Sequence, residues 1–167
     1  MAEITQAQDK RMTFIDTLVD LADSDPTICF IIPDVGWNYA EKFQHKFPNR
    51  FINTGVTEQF ATIFATTLAL DGWKPYLYTM INFVLFRNYE MVRNGIVCHN
   101  ANVKLLGVKG SSGYCFLGFS HNLLHEEEDI KLCENIGLRS FVPETNDDVK
   151  DVILSTYADN KSAYIRL

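Results

Sequence analysis

The sequence lacks long apolar runs and a leader-like N-terminus. No segment reaches the roughly 18 consecutive apolar residues of a membrane-spanning helix. Residues Met1–Thr5 have no basic stretch followed by an apolar core. These absences argue against membrane insertion and secretion, and they predict a cytoplasmic protein.

Positive charge is also scarce. The chain has 15 Lys and Arg residues against 21 Asp and Glu residues, which gives a formal net charge of -6. No basic cluster is present that would neutralise a run of phosphates, so we do not expect nucleic acid as a partner.

The four cysteines are too widely spaced for a disulfide framework or a Cys-x-x-Cys metal site. Two of them, Cys29 and Cys98, lie within apolar runs and are predicted to be buried. Lone cysteines serve as small apolar residues in reducing compartments, which agrees with a cytoplasmic location.

The chain does have enough apolar sequence for one core. Hydrophobic residues make up 47% of the composition and charged residues 22%, both ordinary for a globular protein. A chain of 167 residues fits one domain. We therefore expect a single domain over residues 1–167.

Apolar spacing predicts alternating helices and strands along the whole chain. Residues Ile28 to Ile32 form a short apolar run that is typical of a parallel strand covered on both faces. The predicted helices cover residues 6–24, 38–46, 57–70, 84–97, 125–135 and 146–158. The predicted strands cover residues 28–32, 50–53, 75–79, 103–108, 139–142 and 163–166. This order predicts an α/β fold, a doubly wound, mostly parallel open sheet with helices on both faces.

Ligands of doubly wound folds bind at the carboxyl ends of strands, so functional residues are expected after residues 32, 53, 79 and 108. Glu58 follows the second predicted strand, in the first turn of a predicted helix. The helix dipole favours an ionised carboxylate there, while apolar neighbours oppose its charge. The peptide Gly55–Gln59 by itself also fits a carboxylate that only stabilises its own helix.

Aromatic residues follow the third of these strands, at the same sheet edge. Phe83 and Phe86 could hold a flat heterocycle by stacking, while the Glu58 carboxylate forms a hydrogen bond with it. Their spacing of three residues also fits the buried face of a helix.

Two histidines, His121 and His125, lie four residues apart before the acidic run 126–129. That spacing can form a metal site, but the metalloprotease pattern needs a glutamate where this chain has Asn122. We therefore favour one functional histidine in a loop, followed by a solvated, acidic helix start.

In this order the segments resemble the pyrimidine-binding domain of transketolases and their relatives, especially enzymes that carry transketolase as two polypeptides. The similar segments are Asp34–Gly36, Phe47–Gln59, Ala69–Tyr76, Asn82–Phe83 with Arg87, Asn102–Leu105, Gly118–His121, Glu128–Ile130, Val142–Pro143 and Tyr164–Leu167.

The resemblance implies an enzyme dependent on thiamine diphosphate. Glu58 would hydrogen-bond the aminopyrimidine and favour the imino form that deprotonates the thiazolium carbon, while Phe83 would stack on the ring. Phe86 would pack nearby, and Asp34 would belong to the cofactor-binding residues. His121 would contact the substrate and assist proton transfer.

Two features depart from the family pattern. His121 and Glu128 are seven positions apart, a longer interval than in the split enzymes, so the loop is lengthened. His125 could take the role of His121, although the preceding Phe119 and Ser120 favour His121. The aromatic segment 111–116 points to a substrate other than the common sugar phosphates.

The sequence contains no Gly-Asp-Gly, which begins the element that holds the diphosphate through Mg2+ in the family. It also stops where the family's third domain would begin. The resemblance therefore implies a partner chain that binds Mg2+ and the diphosphate, in a dimer of such pairs. A piece of a longer protein would have the same sequence.

Three functions follow from this resemblance. The leading one is transfer of a ketol unit, or related acyloin chemistry, together with the partner. A β-type subunit of a 2-oxo acid dehydrogenase first component shares the domain and its glutamate, but the missing C-terminal domain argues against it. A non-catalytic module that scaffolds a partner is the third, and the presence of Glu58 and Phe83 argues against that.

Overall fold

The chain alternates helices and strands in the computed structural model, which describes residues 9–109 and 112–167. The α-helices are α1 (Lys10–Ser24), α2 (Glu41–Lys46), α3 (Glu58–Leu70), α4 (Glu128–Ile136) and α5 (Asn146–Asp159). The strands are β1 (Ile28–Ile32), β2 (Phe51–Asn53), β3 (Lys74–Met80), β4 (Lys104–Val108), β5 (Ser140–Phe141) and β6 (Ala163–Arg166). Two π-helical segments, π1 (Asn82–Phe86) and π2 (Met91–Val97), follow β3, and 3-10 turns cover Pro48–Arg50 and Ser112–Ser120.

The strands form one parallel sheet in the order β2-β1-β3-β4-β6-β5, which confirms the predicted α/β class. Strand β2 lies on one side of β1, and all later strands lie on the other side. In doubly wound sheets a ligand crevice opens at such a reversal, outside the carboxyl ends of the strands. The residues that follow β1, β2 and β3 therefore share the edge where a ligand would bind.

Alternate strand residues bury opposite faces of the sheet. Phe30 and Ile32 pack with α1, α2 and α5, whereas Cys29 and Ile31 pack with α3, π1, π2 and α4. Successive side chains of a strand point to opposite faces, so a sheet covered on both sides needs an unbroken apolar run. This is why β1 matches its predicted bounds.

The cysteine prediction was half correct. Cys29 is buried, as predicted, whereas Cys98 is exposed, because it lies in the turn that follows π2. Cys133 is buried as well. Burial raises the pKa of both buried thiols, Cys29 and Cys133, to about 12, so they stay protonated and pack as apolar groups.

The helix predicted over 84–97 differs most from the structure. It starts earlier and is partly π-helical, with i to i+5 hydrogen bonds from Arg87 N–H to Asn82 O at 3.0 Å and from Cys98 N–H to Arg93 O at 3.0 Å. Apolar spacing does not distinguish a π-turn from an α-turn, so the sequence pattern missed this. π-Bulges occur frequently at functional sites.

Three other boundaries were predicted too wide. The helix expected over 38–46 starts at Glu41, because Asn38 has a left-handed backbone with a φ of 74°. The helix expected over 125–135 starts at Glu128, whose carboxylate accepts a hydrogen bond from Leu124 N–H at 2.8 Å. The strand expected over 139–142 is reduced to the two residues of β5. This strand lies at the edge of the sheet, and Pro143, which lacks an N–H, follows shortly after it.

Part of two predictions lies outside the described residues, namely 6–8 of the first helix and Ser111 of the aromatic segment. Within 9–109 and 112–167, no helix has the length and apolar character needed to cross a membrane.

Candidate active site

Glu58 lies at the start of α3, directly after the turn that leaves β2. Gly55 makes this turn with a φ of 69°, and its N–H donates to Asn53 Oδ1 at 2.9 Å. The Glu58 side chain is only 4% exposed. Carboxylates are rarely buried unless they are paired, so this position indicates a specific partner.

The partner of the Glu58 carboxylate is Arg87. Its Nη1 donates to Glu58 Oε2 at 2.8 Å. The Arg87 side chain is 45% exposed, so the pair joins a buried anion to a cation that reaches solvent. Arg87 O in turn accepts a hydrogen bond from Gln59 Nε2 at 3.2 Å, which ties the two helices together beside the carboxylate.

Phe83 lies one helical turn before Arg87, on the same side. The guanidinium carbon of Arg87 is 4.3 Å from the centre of the Phe83 ring. This is a close cation–π contact. Phe83 and Glu58, the predicted stacking residue and the predicted carboxylate, therefore contact the same side chain.

A buried asparagine fixes the backbone of Glu58. Asn88 is fully buried, and its Nδ2 donates to Glu58 O at 3.1 Å and to Thr62 Oγ1 at 3.0 Å. Thr62 Oγ1 donates to the same Glu58 carbonyl at 2.9 Å. The sequence pattern did not identify Asn88. The signal that could have identified it is the position of a polar residue between two pairs of apolar residues, Val84 with Leu85 and Val92 with Ile96.

Replacing Asn88 with alanine should destabilise the chain by about 1–3 kcal/mol, because two buried hydrogen bonds are lost and their partners lose a donor. Urea unfolding followed by circular dichroism measures this. Asn94 is an exposed asparagine in π2 and provides the matched control. Asn94→Ala should change the free energy of unfolding by less than about 0.5 kcal/mol. Equal effects of the two changes would contradict the role of Asn88.

His121 contacts the same aromatic ring from the loop before α4. The rings of His121 and Phe83 meet edge to face, with centres 5.0 Å apart and planes at 80°. The imidazole Nδ1 lies 2.8 Å from Ser120 Oγ. Asn82 Nδ2 donates to Phe119 O at 3.1 Å and so holds the loop against π1. His125 is exposed.

A buried network anchors the end of this loop. Asp129, in the first turn of α4, is fully buried and accepts hydrogen bonds from Tyr164 OH at 2.7 Å and from Arg166 Nη1 at 3.3 Å. Burial and the neighbouring Asp129 raise the pKa of Tyr164, which keeps its hydroxyl protonated as a donor. Arg166 also donates to Glu126 O at 2.8 Å. The resemblance included Asp129, Tyr164 and Arg166 without giving them a role.

Asp34 follows β1 and is exposed, with a left-handed backbone at a φ of 56°. It exchanges two hydrogen bonds of 3.1 Å with the side chain of Asn53. Asp34 also lines a cavity of about 260 Å³ with Arg11, Gly36 and Tyr78. The structure therefore connects Asp34 to the turn before Glu58.

Phe86 is partly buried and packs on the apolar cluster beneath α3 and π2. The predicted residues thus divide into two groups. Glu58, Phe83 and His121 meet around Arg87 and π1, whereas Asp34 borders the neighbouring cavity. No group of three or more His, Cys, Asp or Glu side chains in residues 9–109 and 112–167 could hold a metal ion.

The outer surface of α3 carries several exposed apolar side chains. The helix carries one charged residue, the buried Glu58. We call the exposed side chains of Val56, in the turn before the helix, and of Phe60, Ile63 and Leu70, in the helix, the α3 stripe; they are 70%, 61%, 41% and 59% exposed. At one end, Val56 and Phe60 line a depression of about 370 Å³ together with Glu58 and Arg87. The stripe therefore continues into the site.

Sequence comparison finds similarity over nearly the whole chain. The family model described as "Transketolase, pyrimidine binding domain" matches residues 6–167. An apulose-4-phosphate transketolase subunit of Phocaeicola vulgatus is 33% identical over 117 residues, which cover 70% of this chain and 38% of that protein. The 1-deoxy-D-xylulose-5-phosphate synthase of Bacillus cereus is 42% identical over 90 residues, which cover 53% of this chain and 14% of the synthase.

Solved structures share the fold. A split-gene transketolase, described as an inactive beta4 tetramer, superposes with a TM-score of 0.81 at 27% identity, covering 95% of this chain and 50% of that chain. A transketolase from Campylobacter jejuni superposes with a TM-score of 0.83 at 14% identity, covering 96% of this chain and 26% of that chain. This chain spans half or less of each of these proteins.

Proposed function

The chain belongs to the transketolase pyrimidine-binding domain family, and from this premise we propose that it is half of the active site of a thiamine-diphosphate-dependent, transketolase-like enzyme. In this proposal Glu58 activates the aminopyrimidine of the cofactor. The observation that carries the proposal is that the Glu58 carboxylate is buried and that the Arg87 guanidinium contacts both this carboxylate and the ring of Phe83.

The side chains fit the ring of the cofactor. The guanidinium of Arg87 is flat, lies over Phe83 and donates a hydrogen bond to Glu58. Phe83 and Glu58 thus already hold a planar group that lies over the Phe83 ring and donates a hydrogen bond to the Glu58 carboxylate. An aminopyrimidine with a protonated ring nitrogen has the same two properties, so the same side chains would hold it.

When bound, thiamine diphosphate supplies a carbon nucleophile for attack on the carbonyl group of a ketose or keto acid. In our proposal, Glu58 holds the proton at the ring nitrogen, and its burial strengthens that hydrogen bond. Phe83 orients the ring by stacking, with Phe86 packed behind. Asp34 approaches the cofactor from the end of β1. His121, at the edge of Phe83, contacts the substrate and transfers protons to it.

A second chain supplies the diphosphate and Mg2+ sites in this proposal, because the sequence contains no Gly-Asp-Gly. The names of two similar proteins, a transketolase subunit and a split-gene transketolase, support a two-chain enzyme. We propose that the partner docks on the α3 stripe. Exposed apolar patches of this kind mark protein interaction sites. Two such pairs would form the complete enzyme.

We propose ketol transfer as the reaction, with acyloin formation as the second candidate. The two relatives support one candidate each, since one is named a transketolase and the other a synthase. Both names contain a sugar phosphate, so we propose a sugar or sugar phosphate as the substrate class, in place of the different substrate expected from the aromatic segment 111–116.

The test is reconstitution with the chain encoded by the neighbouring reading frame, provided that it carries Gly-Asp-Gly and a downstream Asn. Purified complex with thiamine diphosphate and Mg2+ should transfer a ketol unit from a ketose to an aldose, measured by chromatography of both products. Oxidative decarboxylation of 2-oxo acids without ketol transfer would instead identify a 2-oxo acid dehydrogenase component. A complex that binds no thiamine diphosphate in calorimetry would identify a non-catalytic scaffold.

A further inference from the structure

Arg87 contacts both groups that the proposed function assigns to the cofactor ring. Its Nη1 is 2.8 Å from Glu58 Oε2, and its guanidinium carbon is 4.3 Å from the centre of the Phe83 ring. A guanidinium is planar, cationic and rich in N–H donors, so it stacks and hydrogen-bonds at once. These are the two interactions that an aminopyrimidine would need at the same side chains.

We propose that Arg87 is a positioning residue that occupies the place of the aminopyrimidine in the free chain and is displaced when the cofactor binds. The proposal rests on the proposed function of Glu58 and Phe83. In this role Arg87 competes with the cofactor. It compensates the charge of the Glu58 carboxylate in the free chain, and it lowers the apparent affinity of the chain for the cofactor.

The charge of Glu58 explains why the free chain needs such a residue. The Glu58 side chain is 4% exposed, and a buried carboxylate that loses its partner strongly destabilises a protein. Arg87 compensates this charge as long as no cofactor is present. When the cofactor ring enters, its protonated nitrogen replaces the Arg87 guanidinium as the donor to Glu58. The carboxylate is therefore never left buried and unpaired.

The surroundings of Arg87 allow its side chain to move while its backbone stays in place. Arg87 N–H donates to Asn82 O at 3.0 Å, and Arg87 O accepts from Gln59 Nε2 at 3.2 Å. The side chain is 45% exposed, so the guanidinium can leave Phe83 and enter water without a change in the packed core. Hydration then replaces the hydrogen bond that it loses.

This competition predicts opposite effects of one substitution on the two states of the chain. Arg87→Gln should lower the stability of the free chain, because Glu58 loses its charged partner. The same change should strengthen cofactor binding, because nothing has to be displaced. A hydrogen bond to a charged group corresponds to roughly tenfold or more in an equilibrium constant, so we expect the Kd for thiamine diphosphate to fall by about tenfold.

The experiment measures both states. Isothermal calorimetry with thiamine diphosphate and Mg2+ gives the Kd of the complex with the diphosphate-binding partner, for the unchanged chain and for Arg87→Gln. Urea unfolding gives the stability of the free chain for Arg87→Gln, Glu58→Gln and the double variant. In the Glu58→Gln background, Arg87→Gln should cost little further stability, because the charge that Arg87 compensates is gone.

Two further variants keep the test decisive. Arg87→Lys retains a cation near Glu58 but not the flat, stacking group, so its Kd should lie between those of the unchanged chain and Arg87→Gln. Arg93→Gln changes an exposed arginine of π2, whose Nη1 donates to Asn94 Oδ1 at 2.8 Å, and should leave the Kd unchanged.

The outcomes separate this proposal from the proposed function. Normal cofactor binding by the unchanged complex, with an equal or higher Kd for Arg87→Gln, overturns the competitive role of Arg87 and leaves the proposed function intact. Absence of cofactor binding by the unchanged complex overturns both. A lower Kd together with lower free-chain stability supports the displacement of Arg87.

Discussion

Turnover of the reconstituted enzyme should fall by about 10²- to 10⁴-fold when Glu58 is replaced with glutamine, the range expected for the loss of a general acid–base group. Glutamine keeps the size and polarity of the side chain but cannot take up a proton in the same way. Steady-state measurement of kcat on the complex with saturating thiamine diphosphate and Mg2+ tests the expectation.

The chain should still fold and bind the cofactor after this change. Arg87 loses its anionic partner but is 45% exposed, so water can solvate it. In the proposed enzyme most of the cofactor contacts to the diphosphate come from the partner chain. We therefore expect the Kd for thiamine diphosphate to change much less than kcat.

Glu90 provides a matched control, since it is an exposed carboxylate that precedes π2. Glu90→Gln should leave kcat unchanged. Turnover of Glu58→Gln within tenfold of the unchanged enzyme would remove Glu58 from the proposed chemistry, whatever the effect on cofactor affinity.

The second large effect should come from the α3 stripe. Phe60 is 61% exposed and stacks on Phe64, with ring centres 5.7 Å apart. Phe60→Glu places a charge where the proposed partner covers an apolar surface, and burial of that charge is costly. Aromatic residues at the centre of interfaces often contribute 2 kcal/mol or more, so we expect association to weaken by at least about 30-fold.

Analytical ultracentrifugation of the chain mixed with its partner measures this effect. Leu154→Glu is the matched control, because Leu154 is a 39% exposed apolar residue of α5, and α5 packs on the opposite face of the sheet. This control should associate normally. Loss of self-association by Phe60→Glu with retained partner binding would show that the stripe joins two copies of this chain, and would contradict our assignment.

Much of the fold could be predicted because its signals are local. The run Ile28–Ile32 and the alternation of apolar spacing identified the strands and most helices. The places where prediction was wrong depend on distant groups. Cys98 lies in an apolar stretch but is exposed, and the strand around Ser140 is short because it lies at the sheet edge. No short window of sequence contains that information.

The candidate site was predictable in part. Sequence order placed Glu58, Phe83 and His121 after strands of one sheet, and a parallel sheet brings such segments to one edge. The contacts of Asn88 with Glu58 and Thr62 were not predictable, because a π-helical turn determines which residues of that segment face α3.

The sequence by itself determined the alternating fold, the family and the identity of the carboxylate at the start of α3, because each depends on residues that are neighbours along the chain. Only the tertiary structure decided that Glu58 is buried and that Arg87, 29 residues later, both pairs with it and covers Phe83. Burial and charge compensation depend on which elements pack together, and the order β2-β1-β3 with the π-helical turn after β3 brings these side chains into contact.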